Sequence, residues 1–265
     1  QEENNLLVTA EECLEAVRVV NEEGGWRPGD GPETTPGDAS RVTGPSTGPD
    51  ASPRLPKLLP GINLVHGLTG ERPETYEHNK RFLQTVYDEG LMLRRINIRQ
   101  VMAFEGTEMS EAGADIAIDH KTRFKQYKRE VREEIDRPML RRLAPIGTVL
   151  PDVHLEYHEG GRTFGRQLGT YPLLVGLPGE REVGATIDVA VVDHGYRSVT
   201  GVPYPLDPNA ASMDELTAIP GIGDSTAGDI VVNRPYDAAS AVPSPEIDFA
   251  TFTGGYPSDG RSNAD

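Results

Sequence analysis

The sequence predicts an α/β unit followed by a small antiparallel β-barrel and a helical hairpin, on three observations. An apolar run from Ile62 to Val65 meets Gly67, turns through Gly70, and leads into a helical pattern from Pro73 to Asp88 and a second apolar strand between Leu91 and Val101. Strand, glycine elbow, helix and strand within about forty residues make a βαβ unit with parallel strands and a site at their carboxyl ends. From Thr148 to Pro203 the apolar period changes to two, with glycine or proline turns at short spacing, so four or five short strands are expected. Beyond them, Leu216 to Ile230 reads as two helices joined by Pro220-Gly221-Ile222-Gly223.

Length and charge bound the function. At 265 residues the chain can bury a sizeable core. Its 42 acidic against 26 basic residues give a net charge of -16, and only five of the cations are lysine. An acid-rich, lysine-poor surface tolerates strong salt, where self-repulsion is screened, and a halophile's protein is expected. The sign argues against a simple basic nucleic-acid binder. No run is long enough to cross a membrane and no signal peptide opens the chain, so a cytoplasmic protein is expected. The first residues, Gln1-Glu2-Glu3, lack a methionine, which fits either processing or a fragment of a longer protein, and a fragment is the expectation. Cys13 alone excludes a disulfide or an all-cysteine metal site within the chain.

Taken in order, Thr9-Ala10-Glu11-Glu12 is a capping box that starts a helix running to about Asn21, within a first segment 1–23. Residues 24–60 hold 15 glycines and prolines among 37 positions and are expected to form a disordered insert. The α/β unit fills 61–146 and ends in a helix from Ser110 to about Arg142, with Phe124, Tyr127, Val131 and Ile135 at helical spacing. Nine basic and four acidic residues lie between Lys121 and Arg142, either as a solvated face or as a phosphate-backbone surface. The barrel spans 147–204, with strands expected at Val153–Tyr157, Thr170–Leu177, Thr186–Val192 and Arg197–Val202. The hairpin fills 205–236, its helices expected at Met213–Ile219 and Thr226–Asn233, and residues 237–265 are expected to form a disordered tail.

Candidate site residues follow. The Pro-Gly-Ile-Gly turn allows close backbone approach and leaves amides unpaired at the next helix's N-terminus, where dipole and donors favour phosphate. Together with the lead-in from Asp207 to Leu216 it resembles the helix-hairpin-helix module of DNA-binding and repair proteins, in the competence-protein form. That resemblance assigns Ile222 as buried anchor and Pro220, Gly221, Gly223, Ser225 and Thr226 to the nucleic-acid face. No lysine nucleophile follows, so base excision is not expected. Gly161 to Val175, with Asp188 to Val192, resembles a TRAM-type RNA-binding barrel, which implies that Arg162 and Arg166 meet backbone while Phe164 or Tyr171 stacks bases.

In this order of modules, Gly61 to Glu71 resembles the Gly-Leu-Pro-Gly-Glu-Thr element of radical-SAM barrels, with Thr69 in place of proline, and Arg94 to Thr107 resembles the following strand in archaeal members. The resemblance implies the C-terminal half of a radical-SAM α/β barrel, S-adenosylmethionine and a [4Fe–4S] cluster in the intact enzyme, and Gly67, Gly70, Glu71, Asn97 and Arg99 as cofactor-facing candidates. Glu71 is also expected to cap its helix. The three-cysteine motif is absent, so no cluster is expected on this chain alone, and a non-enzymatic nucleic-acid-binding or protein-interaction module is the alternative. His154 and His158, four apart on a strand, are expected on one face but lack a third ligand, and no metal site is assigned. His66 is read as a satisfied core histidine beside the elbow.

Overall fold

The computed structural model describes residues 8–27, 56, 58–102, 104–106, 120–169, 173–243 and 249–254. They form two compact units, divided between Leu143 and Ala144. Most of the expected insert, residues 110–119 of the long helix, Tyr171 with the first part of its strand, and the tail beyond 254 lie outside the described residues.

The first unit begins with α1 (Ala10–Glu23), whose capping box forms as read: the Thr9 hydroxyl accepts the Glu12 amide at 3.2 Å, and Glu12 accepts the Thr9 amide at 2.7 Å. Its buried Asn21 donates to the Val17 and Met92 carbonyls and accepts the Met92 amide at 2.7 Å, which ties α1 to the segment before the second strand. The chain leaves α1 packed rather than loose. Trp26 is 5 % exposed, with its indole N–H donating to the Gly90 carbonyl, and Leu59 is buried where order resumes. The two described ends of the expected insert therefore belong to the core.

Strand β1 (Gly61–His66) pairs parallel with β2 (Arg95–Gln100), from Gly61 opposite Arg95 to His66 opposite Gln100, and α2 (Pro73–Asp88) makes the crossover. Leu91, Met92 and Leu93, expected within the second strand, are buried ahead of it. Ile96, Ile98 and His66 face the helices; Asn63, Val65, Arg95 and Arg99 lie on the exposed side. Among the described residues there is thus one βαβ unit, without the further strands that an α/β half-barrel requires.

Helix α3 (Lys121–Val131) runs through a π-turn, Arg132–Asp136, into α4 (Arg137–Leu143). The turn buries an ion pair of Arg132 with Asp136, and Arg132 also donates to the Ile96 carbonyl at 3.0 Å. Burial pushes the Asp136 carboxyl up to about 6 against the pull of Arg132.

The second unit is a closed five-stranded barrel of β3 (Val149–Glu159), β4 (Arg162–Gln167), β5 (Leu174–Pro178), β6 (Thr186–His194) and β7 (Ser198–Pro203), in the order β3-β4-β5-β7-β6. Alternating Leu150, Val153, Leu155, Val175, Leu177, Val189 and Val191 fill it. It is not wholly antiparallel, because β7 returns beside β5 in parallel register, Leu174 opposite Ser198. Helices α5 (Met213–Ala218) and α6 (Asp224–Val232) follow, then a 3-10 turn at Ala239–Ala241 and the short α7 (Ala250–Thr253).

Barrel and hairpin share one core. Ala190, Val192 and Val202 of the barrel pack in a single cluster with Leu216, Ile219, Ile222 and Ile230. Phe249 and Phe252 join it at 2 % and 0 % exposure, and the Leu206 amide donates to the Phe252 carbonyl at 2.8 Å. This corrects the expected disordered tail for the described residues 237–243 and 249–254: two aromatics brought beside the barrel end bury enough surface to order the segment.

Candidate nucleic-acid interface

The hairpin is built by local signals. The Ser212 hydroxyl accepts the Glu215 amide at 3.2 Å, while Glu215 accepts the Ser212 amide at 2.7 Å, a capping box that starts α5. Glu215 is also ion-paired with Arg181 from the barrel loop. The helix stops at Ile219, before Pro220, and the chain turns through Gly221 at φ +82°, a left-handed conformation that glycine adopts without strain. The Ile222 amide donates to the Ile219 carbonyl at 3.1 Å, closing the turn, and the Ile222 side chain, 3 % exposed, anchors it.

Gly223 then caps α6 without a side-chain hydrogen bond, and a Cβ placed there would meet nothing within 4 Å. The first-turn amides of α6, at Asp224, Ser225 and Thr226, are left to an outside acceptor. Pro220, Gly221, Gly223, Ser225 and Thr226 thus come together at one tip, with Ser225 exposed and Thr226 half-buried. No lysine or arginine lies between 205 and 233, while Asp214, Asp224 and Asp229 are exposed, so the tip offers a phosphate amides and a helix dipole but no cationic side chain.

On the barrel, Arg166 is held by Glu156 at 2.6 Å and Arg162 is exposed at the strand end. Phe164 stacks on Tyr157 at 5.2 Å, an exposed partner that sequence reasoning did not single out. A bulge between Leu155 and Tyr157 sets Tyr157 opposite Phe164 and His158 opposite Thr163, whereas His154 stands opposite Arg166. The bulge therefore puts the two histidines on opposite faces, correcting the expected shared face: simple alternation counts one residue too few. His154 meets Thr186, and His158 the Arg181 carbonyl. Among the described residues no group of three or more His, Cys, Asp or Glu could hold a metal.

The glycine elbow is a locked turn. Gly67 and Gly70 have φ of +85° and +75°. The Glu71 carboxylate, 3 % exposed, accepts the Gly67 amide at 3.0 Å and lies 3.1 Å from His66 Nδ1 and 3.2 Å from His120 Nδ1. Burial pushes this carboxyl up, but the bonds from His66, His120 and Gly67 outweigh it and hold it below its ordinary value. Glu71 therefore does not cap α2; Thr75 accepts the Arg72 amide there instead. His66 is fully buried and stacked on Tyr76 at 4.3 Å, with its Nε2 lacking a protein partner, so it is only half satisfied. Asn97 donates to the Asn63 side chain at 2.8 Å and Arg99 is exposed beside it on the open face of the sheet. His120 was missed by the sequence reading, since nothing local marks a residue 49 positions from its partner.

The helix-hairpin-helix motif family matches residues 209–232. The chain carries a helix-hairpin-helix motif. An uncharacterized protein of Methanocaldococcus jannaschii is 46% identical over 200 residues, which cover 75% of this chain and 33% of that protein. An uncharacterized protein of Archaeoglobus fulgidus is 47% identical over 167 residues, 63% of this chain and 31% of its own length. The chain spans about a third of the length of these curated archaeal relatives. No helix among the described residues is long and apolar enough to cross a membrane.

Proposed function

We propose that this chain is a nucleic-acid-binding region, gripping a phosphate with the backbone amides of its helix-hairpin-helix. The observation that carries this is Gly223: it caps α6 without a side-chain hydrogen bond, and the space where its Cβ would stand is open. The hairpin tip carries no lysine or arginine, so the contact made there rests on short-range donors. The barrel face with Tyr157, Phe164, Arg162 and Arg166, in the TRAM-like manner, would add stacking and backbone contacts. The test is fluorescence anisotropy of labelled duplex and single-stranded DNA and RNA in high salt, comparing the native chain with Gly221→Val/Gly223→Val. Loss of binding in the double variant supports the reading. Equal binding makes the hairpin a packing element.

For the longer protein, a radical-SAM enzyme acting on a nucleic-acid-associated substrate is the second reading, favoured by the parallel βαβ unit with its two left-handed glycines. The residues present do not fit an iron–sulfur cluster: Cys13 is the sole cysteine, and the described residues hold no ligand group. Glu71 is consumed internally, leaving Gly67, Gly70, Asn97 and Arg99 to border S-adenosylmethionine. Anaerobic iron–sulfur reconstitution of the full-length Methanocaldococcus relative, giving a stoichiometric [4Fe–4S] spectrum, would support this reading, and a colourless protein would remove it.

A further inference from the structure

Three of the chain's five lysines, Lys121, Lys125 and Lys128, stand exposed on α3 with Arg129. At about 100° per residue the four side chains fall within about 100° of arc, along about 12 Å of axis. The other side of the helix is committed. Tyr127 and Val131 are buried, and the acidic flank turns to α2, where Lys80 holds Glu130 at 3.0 Å and Glu134 at 2.9 Å.

Three further arginines of this basic run are engaged within the fold, whereas Arg141 is exposed on α4. Arg123 meets Glu77 and the Pro73 carbonyl, Arg132 meets Asp136, and Arg142 donates to the Tyr87 carbonyl and covers the Tyr87 ring at 4.1 Å. Among the described residues, no hydrogen bond or ion pair engages the side chains of Lys121, Lys125, Lys128 or Arg129. In a chain of net charge -16, packing has drawn Glu130 and Glu134 to Lys80 and left three lysines and Arg129 exposed along one side of α3.

We propose that this stripe docks the phosphate backbone of nucleic acid; it rests on the nucleic-acid reading above. A duplex carries one charge per about 1.7 Å of axis, so about seven phosphates lie along a 12 Å stripe. The rigid helix offers four cations to them. A lipid surface is the less fitting partner, because the apolar side of α3 is buried in the unit's core and none of it is free to enter a bilayer. Amide donors release no counterions, so the hairpin contributes little to the salt dependence of binding while the cations of α3 contribute to it directly.

The test uses the full chain and a labelled DNA duplex, with anisotropy read across a range of salt. Neutralising n phosphates gives a slope of about -0.9n in log affinity against log salt, so the four cations of the stripe contribute about -3.6. Lys121→Gln/Lys125→Gln/Lys128→Gln should make the slope shallower by about 2.7 and weaken low-salt binding at least tenfold, and arginine at the three positions should restore both. Gly223→Val should weaken binding at every salt and keep the slope. If the triple glutamine variant binds with native slope while Gly223→Val fails, the stripe is a solvated face and the hairpin reading stands. If neither variant alters binding, both readings fall. Binding to phosphatidylserine vesicles that the triple variant loses, with duplex binding intact, would assign the stripe to lipid and overturn the proposal.

Discussion

Glu71→Gln is the substitution that most directly tests how the elbow is held. The carboxylate is 3 % exposed and serves three groups: Oε2 takes the Gly67 amide and His66, and Oε1 faces His120. Hydrogen bonds to a charged acceptor contribute about 1.5–3 kcal/mol each, against about 0.5–1.5 for neutral ones. Glutamine preserves the shape and can keep the carbonyl toward Gly67 and His66, weakening two bonds by about 1 kcal/mol each, while its amino group inverts the third. The expected cost is about 3 kcal/mol. Acid dependence gives a second reading. The folded-state value of Glu71 lies below the ordinary 4.5, so its stabilisation is present above that value and is lost as pH falls through the folded one. The variant should lack this acid-sensitive increment. Urea unfolding followed by Trp26, the chain's sole tryptophan and buried in the same unit, measures both. A cost under about 1 kcal/mol, or an unchanged acid dependence, would refute the assigned role of Glu71.

Other outcomes follow from the shared core and the open hairpin. Ile222→Ala removes a side chain 3 % exposed and should cost about 2–5 kcal/mol, with near-UV circular dichroism of barrel and hairpin lost together. Phe252→Ala, at 0 % exposure, should cost about 3–5 kcal/mol by urea unfolding; a small loss would mean that the segment packs without supporting the barrel. Gly223→Ala, at an ordinary φ of -85° and with no atom near its Cβ, should shift stability by about 1 kcal/mol or less. It should nonetheless weaken duplex binding about tenfold or more, as expected for one lost amide–phosphate bond of about 1.5–3 kcal/mol.

What was legible in the sequence was what neighbours in the chain decide. The Thr9 box depends on residues three apart; Pro73 and the glycine after α2 punctuate a helix from their own backbone preferences; Pro-Gly-Ile-Gly can only turn sharply. Parallel pairing of the two apolar strands also followed, because the crossover helix between them leaves no other short route. Barrel alternation showed in the period of two, but the bulge that separates His154 from His158 did not, since only the partner strand reveals the extra residue.

Tertiary structure alone decided the rest. It closed the barrel with a parallel pair, buried Phe249 and Phe252 from a stretch with no periodicity, and set His120 against Glu71. It also turned a run of mixed charge into a stripe, by drawing Glu130 and Glu134 to Lys80 and leaving three lysines on the other side. Composition counts charges; packing decides which of them remain unpaired, because Coulomb attraction falls with distance through space and not along the chain.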